Sequence, residues 1–198
     1  MYQVVTELKP DNFEEFSAIP ALYRPGPIES GDMQQYIDRK NGVQPVEYIH
    51  PSLEGILKST YGVCIYQEQV MQIAHDIAGF TLGEADVLRN AMGKQNEPLI
   101  AAQREKFVEG AVKKRNFTKS EAEEVFDWLA SVGRYAFNKS HTVAYAMLAY
   151  RMAYLKTHYP QEFTAAMMAG EAGDSTKIAR YREECGKLSD FLGVEINV

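Results

Sequence analysis

The sequence predicts a mainly α protein: a multi-helix domain with one or two short strands. Apolar residues recur at helical spacing along most of the 198-residue chain. Capping-box pairs precede several of these stretches, and glycine or proline follows them, so each stretch has a start and a stop signal. One short apolar segment near Cys64 and the last five residues have the pattern of strands.

The N-terminal quarter predicts helices separated by rigid turns. Asp11 and Glu14 are spaced as a capping box that opens the first helix. The prolines of Pro25-Gly26-Pro27 predict a rigid, non-helical turn because each fixes its backbone φ angle. The helix that begins near Asp32 is expected to end near Gly42. The helices predicted here cover about residues 11–22, 32–40 and 51–58.

The rest of the chain predicts one strand and a longer series of helices. Gly62 to Tyr66 is the strand candidate. Thr81 with Glu84 and Thr118 with Glu121 are further capping boxes. Ser140 is the predicted cap of a long helix that ends before Pro160. The helices predicted here begin near residues 67, 82, 97, 119, 140 and 176, and a β-like tail covers 194–198.

Composition excludes several classes of protein. The two cysteines, Cys64 and Cys185, lie far apart, which is typical of a reduced chain and leaves no four-cysteine zinc site. No apolar run approaches the roughly 20 residues that span a bilayer. The first ten residues lack a signal-peptide pattern, so the chain is predicted to be cytoplasmic and to have no membrane partner.

Charge is unevenly distributed along a chain whose net charge is −6. No acidic residue lies between Asp127 and Glu162. A local positive field can bind phosphate on an acidic protein because salt screens distant charges. The alternative is a solvated basic face without a ligand. The basic residues of this interval, apart from histidine, are Arg134, Lys139, Arg151 and Lys156.

The segment from Tyr135 to His141 is the first candidate site. It places a lysine, a hydroxyl group and an imidazole at the predicted start of a long helix. Free backbone N–H groups and the helix dipole favour an anion at such a position, and Tyr135 and Phe137 could stack on a base. The alternative is an ordinary helix start with core aromatic residues.

Three further segments are weaker candidates. Arg89 and Lys94 bracket a predicted helix end, where cations also stabilise the helix itself. Arg24 precedes the stiff proline turn, which would present it in a fixed place or simply connect two helices. The polar cluster Tyr66 to Gln69 could face a site or form the first turn of the next helix, and the second interpretation is favoured.

Catalytic constellations are missing from the sequence. The four histidines show no metal-ligand spacing with cysteine or carboxylate residues. There is no Walker glycine loop, no nucleophile elbow and no pair of strand-borne carboxylates. The residues alone therefore predict an anion-binding helical domain.

Taken together and in order, four segments resemble the C family of bacterial replicative DNA polymerases, and within it the alpha subunit of polymerase III. The resemblance covers nearly the whole chain and implies the fingers region, with a fingers domain at 1–165 and a helix and tail at 166–198 that lead toward the next domain. The four segments are ALYRPGP (21–27), YGVCIYQEQVMQIA (61–74), LRNAMGK (88–94) and FNKSH (137–141).

The resemblance also implies roles for named residues. The LRNAMGK segment corresponds to the part of the family that contacts the triphosphate of the incoming nucleotide, here through Arg89, Asn90 and Lys94. This copy has Asn90 and Gln95 where the family has basic residues, and Ala136 where it has glycine. Arg24 corresponds to the arginine at the palm–fingers junction. The residues expected near the nascent base pair and DNA are Tyr135, Phe137, Asn138, Lys139, Ser140 and His141.

The family's catalytic aspartates are not found in this sequence. They belong to a palm domain that the resemblance places upstream, where they bind Mg²⁺, so this chain alone is expected to be inactive. The implied partners are primer–template DNA, incoming dNTP, the other domains of the alpha subunit and, through those domains, replisome components such as the sliding clamp. The alternative is a non-enzymatic helical interaction module derived from such a polymerase. A stand-alone nucleotide hydrolase is disfavoured because no general base or metal-binding cluster is visible.

Overall fold

The computed structural model describes residues 2–115 and 117–192, with side chains as far as 187. Within these residues the chain forms twelve α-helices and no strand, which confirms the mainly α prediction. The helices are α1 (Tyr2–Leu8), α2 (Phe13–Leu22), α3 (Pro25–Glu29), α4 (Asp32–Lys40), α5 (Glu54–Leu57), α6 (Gln67–Ala78), α7 (Leu82–Gly93), α8 (Glu97–Arg115), α9 (Lys119–Gly133), α10 (Lys139–His158), α11 (Pro160–Gly170) and α12 (Ser175–Leu192).

Local signals in the sequence set most helix boundaries. The capping boxes at Thr81 and Thr118 are confirmed, and Gly79 ends α6 with a φ of 74°. The first box was predicted one residue too early: the Asn12 side chain accepts the Glu15 N–H at 3.0 Å and is the cap of α2. The predicted helix at 51–58 is α5 flanked by two 3₁₀ turns. Helices α1 and α11 were not predicted.

The proline turn is a helix and not the non-helical connector that the sequence predicted. Pro25 occupies the first position of α3, and Pro27 is its third residue. The first N–H groups of a helix have no partner within the helix, so proline loses nothing there and its fixed φ angle suits the helix. Arg24 is extended and caps this helix.

The predicted strand at Gly62–Tyr66 makes only one bridge, between Tyr66 and Phe137. The segment lies between two hydrophobic cores. Cys64 belongs to one core, and Val63 and Ile65 belong to the other. The first core is built by α5 to α9. The second lies among α1, α2 and α4 and includes Leu8 and Leu22.

Helices α6 and α8 cross very closely in the first core. A Cβ atom on Gly110 of α8 would lie 1.9 Å from the carbonyl oxygen of Ala78, so only glycine permits this approach. At the same crossing, Lys114 and Arg115 donate hydrogen bonds to the carbonyl oxygens of His75 and Asp76 in the last turn of α6. Arg115 thus bonds a carbonyl group in the last turn of α6, where the helix has no further N–H to offer, and Lys114 adds a second bond to the His75 carbonyl oxygen, which also accepts the Gly79 N–H.

The chain divides into two compact units, Met1–Ala144 and Tyr145–Val198. The second unit contains a cavity of about 270 Å³, lined by residues such as Phe163, Met167 and Cys185. The predicted tail at 194–198 lies outside the described residues. Among residues 2–115 and 117–192, no helix combines the length and the apolar character needed to cross a bilayer.

Candidate functional site

The start of α10 is organised by Asn138. Its Oδ1 atom accepts hydrogen bonds from the His141 N–H at 2.9 Å and from the Ser140 hydroxyl. The sequence predicted Ser140 as the cap, but α10 begins at Lys139, so the cap is Asn138 and Ser140 lies inside the first turn. The Asn138 amide also orients the hydroxyl group of Ser140.

A carboxylate from the same chain occupies this helix start. Glu68, in the first turn of α6, accepts the Lys139 N–H at 2.9 and 3.1 Å and the Asn138 Nδ2 group at 3.2 Å. The sequence predicted that the N-terminus of α10 would attract an anion. In the structure that anion is Glu68.

The loop before α10 packs on the start of α3. Arg24 donates a 2.6 Å hydrogen bond from Nη2 to the Tyr135 carbonyl oxygen, and the Tyr135 hydroxyl donates to Asp32 at 2.6 Å. A Cβ atom on Gly26 would lie 2.7 Å from the Tyr135 Cβ atom. Burial raises the pKa of Tyr135, and the hydrogen bond to Asp32 raises it further, so this hydroxyl stays protonated.

Two aromatic–cation contacts lie beside the Tyr135 loop. The Arg24 guanidinium lies over the Phe137 ring, 4.4 Å from its centroid, and the His141 ring contacts the same ring edge-on at 5.3 Å. Burial lowers the pKa of Arg24. The Lys139 Nζ atom lies 5.3 Å from the centroid of the Tyr66 ring and 3.8 Å from Glu14 Oε1. Arg24 and Lys139 therefore each contact an aromatic ring.

Arg89 and Asn90 form one hydrogen-bonded network with Asp86 in α7. Arg89 donates to Asp86 Oδ1 from Nη2 at 2.7 Å and from Nε at 3.0 Å. The Asn90 Nδ2 group donates to the other Asp86 oxygen, and its Oδ1 accepts from Arg89 at 3.0 Å. The Arg89 side chain is 22% exposed. Asn90 therefore holds the pair in place but adds no positive charge.

Lys94 stands apart from this network. It is the exposed C-cap residue of α7, and within the described residues it forms no ion pair. Gln95, which follows it, has a φ of 53°, a left-handed conformation that ends the helix sharply. Lys139 and Glu68 line a groove of about 610 Å³, but Arg89 and Lys94 are not among its lining residues. The three cations do not converge in one cavity.

The first turn of α6 contacts both the Arg89–Asp86 network and the start of α10. Gln67 accepts a hydrogen bond from Arg89 Nη1 at 3.3 Å, and its backbone N–H donates to the Phe137 carbonyl oxygen at 2.9 Å. Next to it, Glu68 bonds Asn138 and Lys139. The sequence favoured an ordinary helix turn here, and that interpretation was correct for the local structure. It missed the contacts to Phe137 and Lys139, since these depend on residues about 70 positions away.

Gln69 fixes the same turn from the inside. Its Oε1 atom accepts the Ile65 and Tyr66 N–H groups, each at 3.0 Å, and its Nε2 atom donates to the Thr60 hydroxyl at 2.7 Å. Because Gln69 is buried, these bonds satisfy backbone groups that water cannot reach. The turn that carries Gln67 and Glu68 is therefore rigidly placed.

The side chains of this region supply hydrogen-bond donors, acceptors and aromatic rings. Within the described residues no group of three or more histidine, cysteine, aspartate or glutamate side chains is placed to hold a metal ion. The Arg89 guanidinium presents a fork of donors, which bond Asp86 and Gln67 in this structure. The exposed side chains at the start of α10 offer hydrogen-bond donors and acceptors beside an aromatic pair.

Comparison with known proteins gives consistent matches. A family model described as "Bacterial DNA polymerase III alpha subunit finger domain" matches residues 1–115. The chain is 50% identical over 193 residues to "DNA polymerase III subunit alpha" of Pasteurella multocida, covering 95% of this chain and 17% of the relative.

Two further relatives carry the same name. The Campylobacter jejuni protein is 46% identical over 96% of this chain and 16% of its own length, and a Helicobacter pylori protein is 49% identical over 91% and 15%. The chain thus spans about a sixth of the length of the curated relatives it matches. The similarity to these relatives extends beyond residue 115 over most of the chain.

Proposed function

Because the chain belongs to the bacterial DNA polymerase III alpha subunit finger-domain family, we propose that it binds the incoming dNTP and the nascent base pair in a DNA-directed DNA polymerase. The fingers cover 1–165, and 166–198 lead toward a further domain. The partners are primer–template DNA and the other domains of a longer alpha subunit. That subunit works in the bacterial cytoplasm, where its other domains reach the sliding clamp.

One observation supports this proposal more than any other. The first turn of α6 is hydrogen-bonded to Arg89 through Gln67 and to the start of α10 through Glu68. The segment proposed to contact the triphosphate and the segment proposed to contact the base pair therefore share one rigid support. A nucleotide joins its triphosphate and its base through one sugar, which limits their separation, and a shared support suits the recognition of both.

Binding of the triphosphate is assigned to Arg89, Asn90 and Lys94. Arg89 can exchange Asp86 for phosphate oxygens, since the guanidinium fork fits both partners. Asn90 donates a hydrogen bond without charge, and exposed Lys94 adds a mobile point charge. These groups neutralise negative charge that builds up on the phosphates as the bond to the leaving group breaks.

Contact with the nascent base pair is assigned to the segment from Tyr135 to His141. Arg24 holds the loop through the Tyr135 carbonyl oxygen and the Phe137 ring, at the junction with the palm. Asn138, Lys139, Ser140 and His141 then lie at the surface beside that anchored ring. Such a rigid set tests the shape of the base pair by positioning it.

Mg²⁺ is assigned to a palm domain elsewhere in the longer protein, whose carboxylates would hold it and where it would help to activate the primer hydroxyl group. The described residues of this chain offer no cluster of metal ligands, so no step proposed here involves a metal bound to them. Bond formation depends on that palm, and the chain alone is expected to be inactive in primer extension.

The triphosphate role is tested by Arg89→Ala in the polymerase that contains this chain. The KM for the incoming nucleotide is expected to rise roughly tenfold or more, because a charge-assisted hydrogen-bond donor is lost. Arg104→Ala is the matched control: Arg104 also pairs with carboxylates, Asp127 and Glu123, but in the α8–α9 region. If the KM of Arg89→Ala stays at the control value, Arg89 is not a triphosphate ligand and the proposed function fails.

A further inference from the structure

We propose that Glu68 is a positioning residue that fixes Asn138 and the first turn of α10 for recognition of the base pair, an inference that rests on the proposed function. Glu68 belongs to α6 and is 70 residues from Asn138 in the chain. Its carboxylate is exposed, so its contacts and not its burial define its role.

The hydrogen bonds of Glu68 pass directly to the exposed side chains of α10. Oε1 of Glu68 accepts Asn138 Nδ2, and Asn138 Oδ1 in turn accepts from the Ser140 hydroxyl and the His141 N–H. The carboxylate thereby selects one orientation of the Asn138 amide. Only that orientation directs Oδ1 toward α10.

A carboxylate suits this position because both groups that hydrogen-bond to it are donors. The Lys139 N–H and the Asn138 Nδ2 group both point hydrogens at Glu68. A glutamine at position 68 would bring an NH₂ group to one of these donors. If the glutamine oxygen takes the place of Oε1, it accepts both donors, but the NH₂ group then stands at the place of Oε2, 2.9 Å from the Lys139 nitrogen, and opposes that N–H. If the oxygen takes the place of Oε2, Asn138 would have to turn its amide over, and the His141 N–H and the Ser140 hydroxyl would lose their acceptor.

The hydrogen-bond pattern predicts that a second substitution, at Asn138, restores what Glu68→Gln removes. In the double variant Glu68→Gln, Asn138→Asp, the amide NH₂ group introduced at position 68 donates to the carboxylate introduced at position 138. The side-chain carbonyl of the introduced glutamine still accepts the Lys139 N–H. Aspartate also remains a good helix cap and accepts the His141 N–H. Each donor therefore regains an acceptor, with the charge moved by one side chain.

The test is amide hydrogen exchange at Lys139 and His141, measured by NMR on this 198-residue chain. Glu68→Gln is expected to speed exchange roughly tenfold at Lys139 or at His141, according to which carboxylate oxygen the NH₂ group replaces. Glu124→Gln makes the same change of charge at an exposed carboxylate on α9 that has no ion pair within the described residues, and it should leave both rates unchanged. Unchanged exchange in Glu68→Gln, or faster exchange that the double variant does not reverse, overturns the proposal.

A second arm separates this inference from the proposed function. In the polymerase that contains the chain, Glu68→Gln is expected to lower kcat/KM for the correct nucleotide on the order of tenfold, since misplaced contacts lose much of their effect. If Arg89→Ala impairs nucleotide use and Glu68→Gln does not, the positioning role fails and the proposed function stands. If neither variant has an effect, the proposed function fails.

Discussion

The Arg24 guanidinium is centred 4.4 Å from the centroid of the Phe137 ring and donates a 2.6 Å hydrogen bond to the carbonyl oxygen of Tyr135. Arg24 precedes α3, whereas Phe137 lies just before α10. The Arg24 side chain therefore holds the start of α3 against the loop before α10, although Arg24 and Tyr135 are 111 residues apart in the chain. The α10 start that we propose to contact the base pair depends on these contacts.

Arg24→Ala should destabilise the first unit. The loss of a charge-assisted hydrogen bond and a cation–π contact is expected to lower the free energy of unfolding by roughly 2–4 kcal/mol. Arg24→Lys keeps the charge but not the fork and should lose about half as much. Urea unfolding followed by fluorescence of Trp128, the chain's single tryptophan, measures both. Arg104→Ala, which breaks half-exposed ion pairs, should cost less than about 1 kcal/mol, and an equal loss would contradict the role of Arg24.

Gly26→Ala should be destabilising through Tyr135. The added methyl group would lie 2.7 Å from the Tyr135 Cβ atom and push that side chain away from Asp32, at a cost of about 1–3 kcal/mol. Gly83→Ala is the control, because nothing lies within 4 Å of a Cβ atom there and alanine favours a helix. Urea unfolding of both variants checks the prediction, and a neutral Gly26→Ala would show that the loop yields easily.

Asp86→Asn should strengthen binding of the incoming nucleotide. In the proposed function Asp86 would compete with phosphate for Arg89, and this partly exposed pair is worth a few tenths to about 1 kcal/mol. The KM for dNTP in the polymerase is therefore expected to fall about two- to fivefold at low salt and less at high salt. Asp127→Asn, which frees Arg104, should not change it. A higher KM for Asp86→Asn would mean that Asp86 positions Arg89 and does not compete for it.

Glu15 should make the first unit sensitive to acid. Burial alone would raise the Glu15 pKa, but hydrogen bonds from Tyr61 and the Asp11 N–H, together with Lys40, lower it below 4.5. A lowered folded-state pKa means that Glu15 contributes stability above pH 4.5 and loses it as the pH falls through the folded-state value. Glu15→Gln should therefore cost about 1–3 kcal/mol at pH 7, and this difference should shrink in acid. Urea unfolding across about pH 3–7 measures the difference, and one that does not change with pH would refute the assignment.

Short-range signals in the sequence were sufficient for most helices. The boxes at Thr81 and Thr118 were predicted because a capping box acts within four residues. The end of α4 was predicted from the nearby Gly42. The proline turn failed for a related reason. Proline indicates only its own φ angle, and that angle is compatible with both a turn and the first turn of a helix, so Pro25 and Pro27 were read as a break.

The site was only partly predictable because its contacts are long-range. Charge and helix-end patterns marked both segments as candidate sites, the resemblance gave them phosphate and base-pair roles, and those roles stay predictions. The pairing of Glu68 with Lys139, and of Gln67 with Arg89, depends on how α6, α7 and α10 pack. No periodicity or spacing reports such a contact. The strand at Gly62–Tyr66 was predicted because the segment is apolar and β-branched, but its side chains pack into two cores and form no sheet.

The central claim is that the first turn of α6 unites Arg89 and the start of α10 in one nucleotide site. A structure of the polymerase that contains this chain, with primer–template and a non-hydrolysable dNTP, tests it most directly. We predict an Arg89 nitrogen about 3 Å from a triphosphate oxygen, with Asn138 and His141 beside the nascent base pair. A triphosphate bound without Arg89, while Arg89 stays paired with Asp86 and Gln67, would contradict the claim.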